Sequence, residues 1–493
     1  MDPKRTPVLV AVGQSTEREE IVNAVEMAAR ASEAALASAP RLRDHIEQVS
    51  MVSVVFSQVS ARPASELAAR LGLAPRRTEY TTPGGNLPQW MVTRAGREVA
   101  EGKLDAALIA GGEATRSMRA ADPNADFMGA GLASEGAEAE PDPVVGPSMD
   151  GVMGPAELSI GLVRPTEIYP MLENARAHGE GRGYAEQRRF LGPLMSRFSQ
   201  VAADHPFAWF REALSPEQVA SVTDSNRLIA EPYTRCMNAF PNVDQGAAVV
   251  VTSLETARAL GLEDSCLFLW AGATNQECAP ATRPDPGQAP AMRAAASATL
   301  AAAGIGVDDL SLIDLYSCFP VAVEAGAEAL GVALDDARGL TLTGGLPFFG
   351  GPGNNYSMHA IATLWERLRE AGGLGYIGAN GGFLSKHSMG VYGTTPPPNG
   401  FVAVDTREAQ AKIDASAIEV TTEASGEATV VTSTVVYDRA GGVADVPVIA
   451  TLDDGRRVAA RADESSREAA AREGLIGARV RLEGSPLRFH CER

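Results

Sequence analysis

GGLPFFGGPGNNY, residues 344–356, holds five glycines and two prolines in thirteen positions. Glycine and proline at that density punctuate a chain and exclude a helix or strand interior. The stretch opens onto a helical pattern over residues 356–370. Three other turn-forming stretches have the same grammar. TTPGGNLPQWMV (81–92) opens a helix. LYSCFP (315–320) closes a strand and starts a helix. GANGGFLSKH (378–387) follows a strand. A helix N-terminus exposes unpaired N–H groups and a partial positive charge, which stabilise a thiolate or an anionic oxygen. In open α/β sheets ligands bind beyond the carboxyl ends of the strands, and all four turns can meet there.

Outward from these turns the chain alternates strand and helix. Residues 7–12 (PVLVAV), 49–56 (VSMVSVVF) and 106–110 (AALIA, ended by Gly111-Gly112) read as buried strands. Residues 17–37, 64–73 and 88–101 read as helices. The alternation resumes with strands at 246–253, 266–271, 310–315 and 374–378, and helices at 289–303, 319–330 and 356–370. Continuous apolar strands between helices imply a sheet covered on both faces, an α/β fold. Two stretches with a similar order of elements suggest a duplicated architecture.

Between them, residues 119–235 lose the strand pattern and read as an inserted, mostly helical excursion. It carries Arg164, Arg176, Arg182, Arg188, Arg189 and Arg197. These are either ordinary solvated helix faces or a basic site for a phosphorylated ligand. After Pro396-Pro397-Pro398 the pattern becomes short alternating strands with turns at 440–442 and 453–455, a small OB-like β-barrel. Residues 401–493 hold 12 basic and 16 acidic side chains, with Phe401, Tyr437 and Phe489 as the aromatics. Single-strand binding needs a basic groove and aromatic platforms, so the barrel reads as a packing or partner module. The expected division is 1–255, 256–404 and 405–493.

The chain of 493 residues is 45% hydrophobic and 21% charged, with a net charge of −19. That balance disfavours nucleic acid and anionic membranes as partners. No run approaches about 18 consecutive apolar residues, so no membrane span is expected. The N-terminus lacks signal-peptide form, and a cytoplasmic protein is expected. Cys236, Cys266, Cys278, Cys318 and Cys491 are odd in number and scattered, and the histidines form no ligand pair. Neither a disulfide framework nor a metal site is expected.

AGGEATRSM (110–118), AEPYTRCMNAFPNVDQGAAVVVTS (230–253), LYSCF, GGPG and NGG stand in an order that resembles the thiolase superfamily over residues 5–405. The sterol-carrier-protein branch is closer because of Cys318-Phe319. The added barrel makes the chain most similar to thiolase-like proteins of type 1, often labelled acetyl-CoA acetyltransferases of lipid metabolism. The resemblance implies a thiolase fold: two βαβαβαββ halves in five layers (αβαβα), a helical loop domain, and a C-terminal OB-like barrel. It implies no resident cofactor, with coenzyme A or an acyl-CoA thioester as ligand, and a monomer or homodimer.

It does not carry over the thiolase mechanism. The family's nucleophilic cysteine falls around Gly85 and Asn86, and no cysteine precedes Cys236. The activating histidine of the family's Gly-His-Pro motif becomes Gly351, and its second cysteine becomes Asn380 or a neighbour. Tyr316 stands at the first position of the Asn-Glu-Ala-Phe motif. An amide or a glycine cannot supply the thiolate of ordinary Claisen condensation. Tyr316, Cys318, His387, Asn380 and His359 are the candidate catalytic groups. Tyr316 could donate to a thioester carbonyl, or be a structural phenol. Cys318 could react, or be a small packing residue. His359 and His387 could do acid–base work, or be structural. Gly85, Asn86, Gly351, Gly381 and Gly382 are the candidate ligand-binding positions, through backbone N–H groups. Two functions follow as expectations. One is an acyltransferase-family enzyme that makes or breaks a C–C bond beside a thioester without a covalent acyl intermediate. The other is an inactive CoA or acyl-CoA binding protein.

Overall fold

The computed structural model describes residues 2–123 and 140–491. The first half runs β1 (Pro7–Glu17), α1 (Ala24–Ala37), β2 (Ile46–Met51), α2 (Pro63–Arg70), β3 (Arg77–Thr81), α3 (Leu87–Ala100) and β4 (Ala106–Ala114). An excursion follows: α4 (Thr115–Ala121), β5 (Val144–Val145), α5 (Pro155–Ser159), α6 (Pro165–Gly179), α7 (Tyr184–Asp204), α8 (Pro216–Ala220), β6 (Leu228–Ala230) and β7 (Tyr233–Thr234). β8 (Asp244–Ser253) then returns to the sheet. The second half is α9 (Leu254–Ala259), β9 (Leu267–Gln276), α10 (Pro290–Ala303), β10 (Leu310–Leu315), α11 (Pro320–Leu330), α12 (Tyr356–Ala371), β11 (Leu374–Gly381), β12 (Lys386–Gly393) and β13 (Val402–Ala403).

The strands order as β10-β11-β12-β9-β1-β8-β4-β2-β3-β5, so the halves join through antiparallel β9 and β1. α3 and α12 pack against strands of both wings, and α1, α2, α10 and α11 cover the outer faces. This is the expected five-layer arrangement. An apolar cluster that includes Leu9, Met91, Val92, Val249, Met358 and Ile361 fills the space around the central helices.

Local chemistry explains where the elements differ from expectation. The helix expected from residue 17 starts at Ala24, because Glu17 ends β1 and its Oε1 accepts the N–H groups of residues 18, 19 and 20 at 2.8, 2.8 and 3.1 Å. The Asn23 side chain then caps α1 through the Glu26 N–H. The strand expected over 49–56 stops at Met51. Beyond it the N–H groups of Val54 and Val55 turn to side chains, Tyr80 Oη at 2.7 Å and Glu113 Oε1 at 2.6 Å. Gly111-Gly112 does not end β4, which continues to Ala114. Gly13, Gly112 and Gly246, on three neighbouring strands, leave room for the backbone of α1. A Cβ on Gly112 would stand 2.6 Å from Ala24 O, and one on Gly246 2.6 Å from the Met27 carbonyl carbon.

Strands do recur within the excursion. β5 pairs in parallel with β3, and β6 and β7 join two short strands of the C-terminal module, β15 (Val436–Tyr437) and β16 (Val443–Asp445), in a small sheet. The arginines there are mostly occupied. Arg176 pairs with Glu180, Glu324 and Glu328, Arg188 with Glu231, and Arg164 with Glu167. The second half is one strand short of βαβαβαββ. Between α11 and α12 the chain is irregular, although Leu340 O still accepts from Leu315 N at 2.9 Å and Asp314 Oδ2 from Leu342 N at 2.7 Å.

The C-terminal module starts with α13 (Arg407–Asp414) rather than a strand. It continues with β14 (Gly426–Ser433), β15 (Val436–Tyr437), β16 (Val443–Asp445), β17 (Pro447–Leu452), β18 (Arg457–Ala462), α14 (Arg467–Glu473), β19 (Arg479–Glu483) and β20 (Arg488–His490). β14, β17, β18, β20 and β19 close the barrel. Among the described residues no helix is long and apolar enough to cross a membrane.

Candidate functional site

The N-terminus of α3 is the focus of the site. Two side chains from the GGPGNNY stretch fix it. Asn354 Oδ1 accepts from Gly84 N at 3.0 Å while its Nδ2 donates to Ser53 O at 2.9 Å, and Ser357 Oγ donates to Gly85 O at 2.5 Å. Gly84 has φ +147°, a conformation open to glycine. β11 abuts the same turn, and a Cβ on Gly381 would stand 2.7 Å from Gly85 N.

Gly85 is the most confined position. A Cβ there would meet Tyr316 Oη, and would lie 2.6 Å from Asn380 O and 2.7 Å from Tyr316 Cζ. The Tyr316 ring therefore fills the space that a side chain of residue 85 would need. Its T-shaped contact with Tyr356, 5.3 Å between centroids, holds it there. Tyr316 Oη makes no hydrogen bond to another described residue. Burial, followed by Cys318 and Tyr356, keeps the phenol protonated well above its ordinary pKa. It is a donor awaiting an acceptor.

Cys318 lies beside it, next to the N-terminus of α11. Asn380 Nδ2 approaches its sulfur at 3.8 Å. Burial pushes the Cys318 thiol up to about 12, against the pull of Tyr169 and backbone N–H groups. Burial thus disfavours the thiolate, the form in which a cysteine attacks. Asn380 is buried and its Oδ1 has no partner. Asn86 is also buried. Its Nδ2 donates to Ser388 Oγ at 3.1 Å and its Oδ1 is unpartnered.

Tyr169, on α6, completes the site and has no signal in the sequence, because only the fold brings the excursion here. Its hydroxyl donates to Gly382 O at 3.0 Å and accepts from Asn380 Nδ2 at 3.0 Å and Leu384 N at 2.9 Å. Its ring stacks on Phe319 at 4.4 Å. Gly382 is thus a backbone acceptor for Tyr169.

Tyr316, Cys318, Asn380, Gly85, Asn86 and Gly381 are brought together. The two histidines are not. His359 Nδ1 bonds Gln14 Oε1 at 2.8 Å, the ring packs on Phe349, and burial lowers its pKa to about 3. His387 shares its face of the sheet with Asn380 and Asn275, opposite to the face on which Ser388 meets Asn86. Its Nε2 stands 3.6 Å from Glu277 Oε1, a carboxylate that caps α10 through Ala291 N. Gly351 sits one layer away, its N–H bonded to Phe240 O at 2.8 Å.

That layer, residues 238–240, is a wall with two sides. On one side Ala239 N donates to Cys318 O at 2.9 Å. On the other is a cleft of about 780 Å³ between the excursion and the core. Phe210, Leu214, Ile229, Phe240 and Phe348 form its apolar lining, and Glu212, Glu217 and Arg235 are its charged residues.

Comparison with protein-family models returns no match, and neither does comparison with curated proteins. Solved structures do match. The monomeric SCP2-thiolase-like protein type 1 from Mycobacterium smegmatis is 35% identical over 100% of both chains, with a TM-score of 0.85. This chain belongs to the SCP2-thiolase-like proteins of type 1. The fold is shared more widely. The Ltp2–ChsH2(DUF35) aldolase, 18% identical, aligns with 79% of this chain and 98% of its own at a TM-score of 0.62. Human mitochondrial 3-ketoacyl-CoA thiolase, 15% identical, aligns with 80% of this chain and 100% of its own at 0.59. Within this thiolase-like chain, the position read as the family's nucleophile is the one the Tyr316 ring crowds.

Proposed function

We propose that this SCP2-thiolase-like protein binds a coenzyme A thioester and does not form an acyl-enzyme on cysteine. The observation that carries the reading is the occupation of the space beside Gly85 by the Tyr316 ring. A thiolate at the tip of α3 would need that space, and Cys318, the thiol beside it, is held protonated by burial. The free Tyr316 O–H and the unpartnered Asn380 Oδ1 suit a ligand with both an acceptor oxygen and an N–H or O–H donor. A thioester carbonyl takes the phenol's hydrogen bond.

A second reading rests on the same phenol. A buried, protonated Tyr316 stabilises charge developing on a thioester oxygen, so C–C cleavage beside the thioester fits where Claisen condensation through cysteine does not. The chain acts as a monomer in this reading, like its M. smegmatis relative, because β5 occupies the free edge of β3.

Calorimetry with acetyl-CoA and acetoacetyl-CoA tests binding. The expected result is heat with at least one thioester, reduced about ten-fold in affinity by Tyr316→Phe. No heat with either overturns the ligand assignment. Thiolysis of acetoacetyl-CoA at the rate of a cysteine-dependent thiolase overturns the mechanism.

A further inference from the structure

Only four of the 43 basic residues are lysines. Lys4, Lys103 and Lys412 lie on the surface, with side chains 70%, 69% and 75% exposed and paired to glutamates. Lys386, on β12, is 1% exposed. Its side chain crosses to the N-terminal turn of α3, where Nζ lies 2.8 Å from Pro83 O, 3.2 Å from Pro147 O and 3.5 Å from Met149 Sδ. Every one of these acceptors is uncharged. In a chain built on arginine, a buried amine with no carboxylate partner is a distinctive choice, since an ammonium is costly to bury unpaired and an arginine cannot shed its proton.

The amine borders a polar cavity of about 370 Å³, also lined by Asn86, Asp150, Thr274, Arg407 and Asp414. Asn86 is 0% exposed and its Oδ1 has no partner. The residues that carry a buried amine and an unpartnered buried amide oxygen thus line one cavity. The groups lining it differ from those lining the apolar cleft.

We propose that this cavity is a second site, in which Lys386 holds a small polar aldehyde or ketone as a Schiff base. The Nζ lone pair adds to the carbonyl carbon to give a carbinolamine. Both hydrogens of the amine then leave with the former carbonyl oxygen as water, and a C=N bond remains, so no oxidant or reductant is required. Asn86 Oδ1 accepts a hydrogen bond from a ligand hydroxyl. Asp150 and Asp414 are the carboxylates available to relay the proton, while Arg407, also in the lining, is paired with Asp405. Burial, with no offsetting carboxylate, brings the Lys386 pKa from 10.5 to about 8. Near neutrality its neutral fraction exceeds that of an ordinary surface lysine by about two orders of magnitude. The proposal stands apart from the thioester reading.

The test treats the full-length protein at neutral pH with limiting glycolaldehyde and sodium cyanoborohydride, and maps hydroxyethyl groups by peptide mass spectrometry. Lys386 is expected to be modified about ten-fold or more faster than Lys4, Lys103 and Lys412. Lys386→Arg is expected to lose that adduct, because a guanidinium stays protonated and forms no Schiff base under these conditions. Modification of Lys386 no faster than that of the surface lysines overturns the site and leaves the lysine a structural strut. Should the variant fail to fold, the wild-type map alone decides, because each of the four lysines is counted separately.

Discussion

At the residue scale, the charge state of buried groups decides what the centre can do. Burial keeps Tyr316 and Cys318 protonated, so the site offers hydrogen-bond donors and no ready nucleophile. The same force acts on carboxyls elsewhere in the core. Glu113 is 1% exposed, accepts from Val55 N and Ser57 Oγ, and is pushed from 4.5 up to about 7 by burial. Asp314 is likewise raised to about 7. A raised carboxyl pKa means that the folded chain holds a proton which the unfolded chain has released. Its stabilisation is full below pH 4.5 and is lost as pH rises through 7. The melting temperature is therefore expected to fall between pH 5 and pH 8. Glu113→Gln should remove about 3 kcal/mol of that decline, leaving the share due to Asp314. Calorimetric melts of both proteins across this range check it, and an unchanged slope in the variant contradicts it.

At the element scale, small residues set how closely helices meet strands. Gly246 on β8 faces the Met27 carbonyl of α1, and an added methyl would have to push against backbone. Gly246→Ala is expected to cost about 3 kcal/mol in a urea melt, an overpacking penalty with no side chain able to yield. A near-neutral result would mean that α1 does not lie on the sheet as described. The glycines also mark what sequence could and could not reveal. Most strands and helices of both halves, and the convergence of the four turns, were legible because apolar periodicity and glycine clusters are local signals. Continuation of β4 through Gly111-Gly112 was not, since Gly112 is confined by the backbone of α1 and Gly111 by the Asn355 side chain, both remote in the sequence. β3 has the polar sequence RTEYT and no apolar run to announce it. Tyr169 was invisible for the same kind of reason. Its role depends on the excursion folding back over β11, and the two are 211 residues apart. His387 and His359 were attractive as imidazoles near motifs, but His387 lies against Glu277 and His359 is bonded to Gln14.

At the scale of the whole molecule, the excursion and the C-terminal module enclose the thiolase-fold core together. β6 and β15 share a small sheet, Asn174 Nδ2 bridges Glu231 O and Ser433 O at 2.9 Å each, and Gln410 satisfies the edge of β9 at Gln276. This enclosure leaves the apolar cleft and the lysine cavity as openings with separate linings. The account rests on the Tyr316 ring taking the space beside Gly85 that an acyl-accepting thiol requires. Incubation of the protein with excess acetyl-CoA, followed by intact-mass and peptide analysis under acid quench, tests that most directly. The predicted result is no acetyl group on any of the five cysteines. A stoichiometric acetyl thioester on Cys318, or on any other cysteine, would contradict it.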